Sequence, residues 1–432
     1  LKKKRILAGI FVPLAMLCLV TSCGKDYENA HNDYAVKLNM VWWGNKVRNK
    51  RTLEVLEQYH QMDSRVTIEG KFFPVEDYWD KMAVYAAGKN MPDLCQMGYN
   101  YFAQYAGKDL LLDLTPYIEN GVLDVSGIEE FVLDWGKVDD GIYGIAAGMN
   151  AECLVYNKTV TDQCGIVMED NMTYDEFVKI AKKITELTGY RANICPVDGY
   201  TFMRQWSRAE GISVQKAQVP TDSADAYVPF FRILESGIEE GWHLVPDYGD
   251  MTVVETDPLV YGSIPRNMAW CTIHGGSNLL SAFQAAAPDG VEIGITTIPT
   301  SNPRKSNFLH PSMFFSVSAD TENPDEAVAV LNYFINSFEA NSILLGERGV
   351  PASIPVADMI ADKIAKPEQE AADFVRNVIA PNSSPIDPPD PEGSIELAKA
   401  LVKILEKVAY GDYTAEEAAQ EYYDQQRKLW GE

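Results

Sequence analysis

VKLNMVWWGNKVRNKRTLEVLEQYHQMDSRVTIEGKFF, residues Val36 to Phe73, decides the fold. Val36, Leu38, Met40 and Trp42 alternate with polar or smaller neighbours, the period of a strand. The run breaks at Trp43-Gly44-Asn45, and Leu53, Leu56, Tyr59 and Gln61 then follow at the mixed three-and-four spacing of a helix. From Val66 to Phe73 the alternation returns. Strand, loop, helix, strand is a βαβ unit, which predicts an α/β domain around a parallel sheet.

Outward from this unit, a helix is predicted from Val75 to about Ala87, carrying Tyr78, Trp79, Met82 and Tyr85 and stopping at Gly88. Met91-Pro92-Asp93-Leu94 leads into a short strand that ends at Gly98-Tyr99-Asn100, and a further helix runs through Phe102 and Tyr105. Ligands of open α/β sheets sit where strands end and loops begin, so Trp43, Asn45, Tyr99 and Asn100 are expected to share the functional face. A single aromatic of this kind serves equally well as core.

Farther along, Asp139-Asp140-Gly141 is a tight turn, and strands are predicted at Ile142 to Ile145 and Glu152 to Asn157, flanking Ala146 to Asn150; a plain hairpin is one account of them. Thr173-Tyr174-Asp175-Glu176 is a capping box, followed by an apolar helical stripe of Phe177, Ile180, Ala181, Ile184 and Leu187 that ends at Gly189. Asp198, Tyr200, Arg204 and Trp206 fall within nine residues on a predicted loop and short helix. They offer hydrogen-bonding groups and a flat ring to a polyhydroxylated ligand, with a salt-bridged surface turn as the competing account. Met268 to His274 is a predicted strand holding Trp270, which serves as cleft lining or as core. Gly275-Gly276-Ser277-Asn278 then opens a helix. The stretch lacks the Gly-Lys-Ser/Thr ending of a phosphate loop, and Leu279 stands where a nucleophile elbow needs glycine. Gly276 and Ser277 are therefore candidates for holding a ligand by hydrogen bonds, not for attacking it. Strands at Val291 to Ile298 and Met313 to Val317, a helix opened by Asn323-Pro324-Asp325-Glu326, a glycine-punctuated turn at Gly346 to Pro351 in which Arg348 is expected to bond loop carbonyls, an extended loop from Pro381 to Pro391, a helix from Ser394 to Tyr410 and a second capping box at Thr414 to Glu417 complete the chain.

The 432 residues are 46% apolar and carry a formal charge of −25. A chain of this length divides into two lobes by default. No basic stripe follows residue 5 beyond Lys46 to Arg51, so nucleic acid is not expected as a partner. The five histidines are far apart and no CxxC, HxH or HExxH occurs, so neither a metal nor another cofactor is expected. Cys95, Cys153, Cys164, Cys195 and Cys271 are irregularly spaced; one bridge or none fits them.

Residues Leu1 to Gly24 are LKKKRILAGIFVPLAMLCLVTSCG. Four cations precede an apolar run, Ile6 to Val20, that is short for a bilayer span and of signal-peptide length. Val20-Thr21-Ser22-Cys23 resembles a lipobox, which implies cleavage before Cys23 and a lipid on its sulfur; an ordinary secretory signal or an uncleaved anchor are the alternatives. Loss of residues 1–22, with four cations and no acid, takes the charge from −25 to −29. Lys25 to Asp33 is a polar spacer. No later stretch reaches about 18 apolar residues.

The strand ending in Trp, the stretches YWDKMAVYAAGKNMPDL and LLLDLTPYI, GIYGIAAGMNAECLVYNK (Gly141–Lys158), MAWCTIHGGSN (Met268–Asn278) and GERGVPAS (Gly346–Ser353) together resemble the bacterial extracellular solute-binding proteins of family 1, the sugar-binding subunits of ABC importers. The resemblance covers nearly all the chain after the spacer. It implies an α/β, two-lobed periplasmic-binding-protein-like fold with a hinge and interlobe cleft. The signal peptide would be 1–22 and the flexible tether 23–35. The first lobe would be 36–145 with parts of 310–360, and the second 150–300 with the C-terminal helices of 361–432. It also places Asn150 where the chain first passes between lobes and meets the sugar, and it turns Asp198 to Trp206 toward the cleft. The function so implied is capture of a saccharide, a di- or oligosaccharide, by a monomer tethered through its lipid to the outer face of a Gram-positive membrane, and delivery to ABC permease subunits. Aromatic rings would cover the sugar's apolar faces, and no chemistry is required. Two other functions remain open: a surface glycoside hydrolase using a carboxylate pair such as Glu152 and Asp198, and a sugar-binding subunit feeding a sensor.

Overall fold

The alternating runs on either side of Gly44 form β1 (Val36–Trp43) and β2 (Val66–Phe73), joined by α1 (Lys46–Met62). The two strands pair in parallel along their whole length, from Val36 opposite Val66 to Trp43 opposite Phe73. Leu38, Met40, Val41 and Trp42 are buried, as a strand covered by helices requires. α1 lies close on the sheet at Gly70, where a Cβ would stand 2.8 Å from the Trp42 ring and 2.9 Å from Leu56. The computed structural model describes residues 35–195, 199–212, 217–245, 269–388 and 390–431; Cys23, the tether up to residue 34 and Asp198 lie outside them.

α2 (Val75–Gly88) does not end on its glycine but on Lys89, which takes the left-handed conformation at φ 51°. β3 (Leu94–Met97) pairs in parallel with β1, and α3 (Tyr99–Ala106) follows directly. Then come β4 (Lys137–Val138) and β5 (Gly141–Ile142), a small hairpin, β6 (Ile145–Ala146), β7 (Gly148–Asn150) and β8 (Cys153–Asn157). After them come β9 (Arg191–Asn193), β10 (Ala269–His274), β11 (Ile293–Thr296), β12 (His310–Pro311), β13 (Phe314–Val317) and β14 (Val350–Pro351).

These strands make two main sheets. One has the order β2-β1-β3-β13-β6 and the other β11-β8-β10-β9. A third, short sheet, β12-β7-β14, lies on the chain between them. Because β6 belongs to the first sheet and β8 to the second, the segment 142–157 is a passage from one to the other and not a hairpin.

The helices follow their predicted caps. Thr173 and Glu176 exchange the reciprocal bonds of a capping box at the start of Tyr174–Thr188, which ends on Gly189 at φ 78°. Leu187, assigned to its apolar stripe, is 58% exposed; Phe177, Ala181 and Ile184 carry the packing. The second box, at Thr414, opens Ala415–Trp430, which packs with Ser394–Ala409 and Val228–Glu239 on the core of the second sheet. No helix among the described residues is long and apolar enough to cross a membrane. The five cysteines after the tether are free, four of them buried, and burial pushes the Cys95 thiol up to about 12.

His243 ties this second core together. Its Nε2 accepts from the backbone N–H of Ile194 (3.1 Å) and Cys195 (3.3 Å), while Nδ1 donates to the Leu244 carbonyl (2.6 Å). A proton on Nε2 would face two donors in a fully buried site, and burial pulls the imidazole down to about 4. The unfolded chain takes up that proton near 6.5, so the contribution of neutral His243 is complete above about 6.5 and is lost as the pH falls toward 4. Denaturant unfolding should therefore show stability dropping by about 1 kcal/mol per pH unit below 6.5 from this residue. The His243 ring signals in NMR should titrate near 4; a midpoint near 6.5 would contradict the assignment.

Candidate functional site

The site is built on the short central sheet. β7 pairs antiparallel with β12, where His310 faces Asn150, and with β14, where Val350 faces Met149. These backbones approach so closely that a Cβ on Gly148 would lie 2.8 Å from the Arg348 carbonyl, and one on Gly349, at φ 103°, 2.6 Å from that of Met149. Asn150 locks the crossing to the second sheet. Its Oδ1 accepts from the Ala151 N–H (3.0 Å), the Ser277 hydroxyl (2.9 Å) and the Asn278 N–H (3.2 Å), and its Nδ2 donates to Asn278 Oδ1 (2.8 Å). Gly276 is needed beside it, since a Cβ there would meet Asn150 Nδ2 at 2.6 Å.

On the other side, the turn Gly346 to Gly349 is fastened to the carboxyl edge of the first sheet. Arg348, 5% exposed, donates to Gln96 Oε1 (3.0 Å), Thr52 Oγ1 (2.9 Å) and Glu347 (3.1 Å), and Glu347 also receives Arg48. Arg348 thus bonds side chains and not the loop carbonyls expected for it. Burial lowers its affinity for the proton, and the Glu347 carboxylate works against that.

Beside these crossings lies a cavity of about 1030 Å³. The first-sheet side supplies Tyr99, Phe131 and Trp135, with Glu129, Asp134 and Lys137; the crossings supply Met149, Leu309 and Pro351; Asp358, Arg376 and the segment 383–388 close it. Phe131 and Trp135, four residues apart across the short helix Glu130–Asp134, meet edge to face at 5.6 Å. A smaller cavity of about 250 Å³ shares Met149, Pro351 and Arg376 with it and adds Ser277 and Asn278.

Segment 383–388 is held by Arg208, on the helix Gly199–Glu210. The guanidinium donates to Ser384 Oγ (2.6 Å), the Pro385 carbonyl (2.9 Å), the Ser306 carbonyl (3.2 Å) and Asp387, and lies 4.6 Å from the centre of the Phe308 ring. From the opposite side the Tyr99 hydroxyl donates to the Asp387 carbonyl (3.0 Å), and burial pushes that phenol up to about 12.

Of the residues singled out in the sequence, Tyr99 lines the large cavity and Ser277 the small one, and Asn150, Gly276 and Ser277 are brought together. The others are placed differently. Asn45 caps α1, its Oδ1 accepting from Val47 (2.9 Å) and Arg48 (3.0 Å), and Asn100 is exposed on α3. Trp43 packs on Tyr78 (5.1 Å) and Trp79 (5.6 Å), and Trp79 in turn stacks on Tyr101 at 3.8 Å. Trp206 and Trp270 are core: the first lies against Phe230 at 5.6 Å and the second stacks on Phe177 at 5.8 Å, both almost wholly buried. A flat ring in mid-helix or mid-strand found more apolar area inside than at the cleft. Tyr200 is half-buried beside Arg204, whose guanidinium stands 5.8 Å from its ring centre. Glu152, one member of the carboxylate pair named for a hydrolase, is buried, ion-paired with Arg204 and accepting from Gln205 (2.7 Å). Its suggested partner, Asp198, lies outside the described residues. Phe131, Trp135 and Arg376 line the large cavity without having been singled out in the sequence. An aromatic pair four residues apart, ahead of the turn that leads into the crossings, was the available signal.

Two α/β sheets joined by three short crossing strands, with a roofed cavity beside the crossings, define a two-lobed, hinged binding protein. The chain belongs to a family described as bacterial extracellular solute-binding protein, whose model matches residues 54–371. Two relatives named arabinooligosaccharide-binding protein are similar to parts of it: one from Bacillus subtilis (strain 168), 23% identical over 184 residues, 41% of this chain and 42% of that one, and one from Halalkalibacterium halodurans, 30% identical over 126 residues, 29% and 28% of the two chains. The matched regions thus span less than half of either relative's length. In fold, the chain resembles a periplasmic oligogalacturonide binding protein from Yersinia enterocolitica solved with saturated digalacturonic acid (TM-score 0.74, 20% identity, 91% of this chain and 98% of that one).

The Arg208 clasp sets the shape of the large cavity. Arg208→Ala removes four donated hydrogen bonds and should cost about 3 kcal/mol in unfolding free energy. Hydrogen exchange should accelerate at the Ser384 amide, which bonds the Asn307 carbonyl at 3.0 Å. Unchanged exchange there would show that other contacts hold the segment.

Proposed function

We propose that this protein is a lipid-anchored extracellular receptor that captures a di- or oligosaccharide between its lobes and passes it to the permease subunits of an ABC importer. One observation carries the reading: a cavity of about 1030 Å³ beside the hinge, lined by Trp135, Phe131 and Tyr99 and interspersed with hydroxyls and carboxylates. Pockets for drug-sized ligands span about 300–1,000 Å³, so a single monosaccharide would leave most of this space to water. Rings cover the apolar faces of a sugar while polar side chains meet its hydroxyls. The two relatives named arabinooligosaccharide-binding protein support an oligosaccharide ligand. The ligand-contacting set is Tyr99 from the sequence, joined by Phe131 and Trp135; Gly276, Ser277 and Asn150 shape the hinge side.

The lobes would be 36–145 with parts of 310–360, and 150–300 with 361–432, closing about β7, β12 and β14. The basic flank, short apolar run and Cys23 at the N-terminus support tethering to the outer face of the membrane of a Gram-positive cell. Binding of this kind needs no bond to break. Isothermal titration against a panel of neutral oligosaccharides should find micromolar or tighter binding for at least one, and Trp135→Ala should weaken it by about 1.4–2.8 kcal/mol, ten- to a hundredfold. Silence across the panel would end the saccharide reading, and full affinity in the variant would move the site elsewhere.

A further inference from the structure

We infer that the large cavity selects uncharged oligosaccharides and turns away sugar acids, and that the pairing of Arg376 with Asp358 is a determinant of that choice. This rests on the saccharide reading of the same cavity. Four carboxylates line the cavity, Glu129, Asp134, Asp358 and Asp387, against two cations among the described residues, Lys137 and Arg376. Each cation is already matched: Lys137 with Asp134, and Arg376 with Asp358 at 3.5 Å. Asp387 is answered from behind by Arg208. Glu129, exposed at the start of the short helix that carries Phe131, lies on the same wall.

A uronate entering this space meets, among the described residues, only cations whose charge a carboxylate of the same cavity already offsets, so a bond to an open N–H of Arg376 or Lys137 leaves the net negative charge of the lining unrelieved. The chain as a whole, at −25, adds a field of the same sign. Hydrogen bonding points the same way. An ionised carboxylate only accepts, and so do the ring and glycosidic oxygens of a sugar. A neutral sugar brings a row of O–H donors to the carboxylates, whereas replacing a hydroxymethyl group by a carboxylate sets acceptor against acceptor. The fold-level neighbour solved with digalacturonic acid shows that this architecture can house a sugar acid, so the exclusion lies in the lining residues of this chain and not in its backbone.

The test is isothermal titration of the full chain with neutral arabinotriose, xylotriose and maltotriose and with digalacturonate, at low salt and at 0.5 M salt. Digalacturonate should bind at least tenfold more weakly than the best neutral sugar, and the gap should narrow in high salt as the cavity's charge is screened. Asp358→Asn frees the Arg376 guanidinium, and the ratio of digalacturonate to neutral-sugar affinity should rise about tenfold; Glu129→Gln should raise it severalfold. Digalacturonate binding as tightly as any neutral sugar, or a ratio unmoved in both variants, overturns this inference alone. No binding by any sugar overturns the saccharide reading itself, and the inference with it.

Discussion

The buried contact between Arg348 and Glu347 is the constraint on which the rest of the site depends. Removing two guanidinium groups and a carboxylate from water is costly, and the arrangement is tolerable because Gln96, Thr52 and the Trp43 carbonyl take up the donors that remain. That cluster pins the turn before β14 to the carboxyl edge of the first sheet. With β14 pinned, β7 and β12 have a fixed template on which to pair, and the passages of chain toward the second sheet leave from a defined point. A polar network at this position specifies where the turn sits more than it adds to net stability.

From that anchor the large cavity is assembled out of pieces distant in sequence. The aromatic wall comes from residues 129–138, the edge from the crossings, and the roof from 383–388, which belongs to the chain after all three crossings. Tyr99 and Arg208 grip the roof from opposite sides. The cavity is therefore sensitive to the relative placement of both sheets, the property a receptor needs if occupancy is to be sensed as shape.

The periodic elements were legible in the chain because local forces decide them. The βαβ unit, both capping boxes and the Pro-led helix at Pro324 depend on neighbours a few residues away. The site was legible only in part. Trp206 and Trp270 have the right chemistry for a sugar face, yet each completes a core whose other members, Phe230 and Phe177, lie elsewhere in the sequence, and nothing local distinguishes a ring turned inward from one turned to a cleft. Asn45 and Asn150 show the same limit in polar form. Both amides bond the protein itself, the first at a helix start and the second across the hinge. Conversely, Trp135 and Arg376 come to line one cavity only through tertiary structure, being more than two hundred residues apart in sequence.

The sulfur content has a practical side. Four of the five cysteines beyond the tether are sealed inside the two cores, where the thiolate is strongly disfavoured, and Cys164 is only half accessible. Of the five, Cys164 is thus the thiol open to alkylating dyes. With Cys164 replaced, a thiol engineered onto each rim of the cavity would carry a fluorophore pair with little background, and energy transfer between them would read the distance across the cavity with and without ligand.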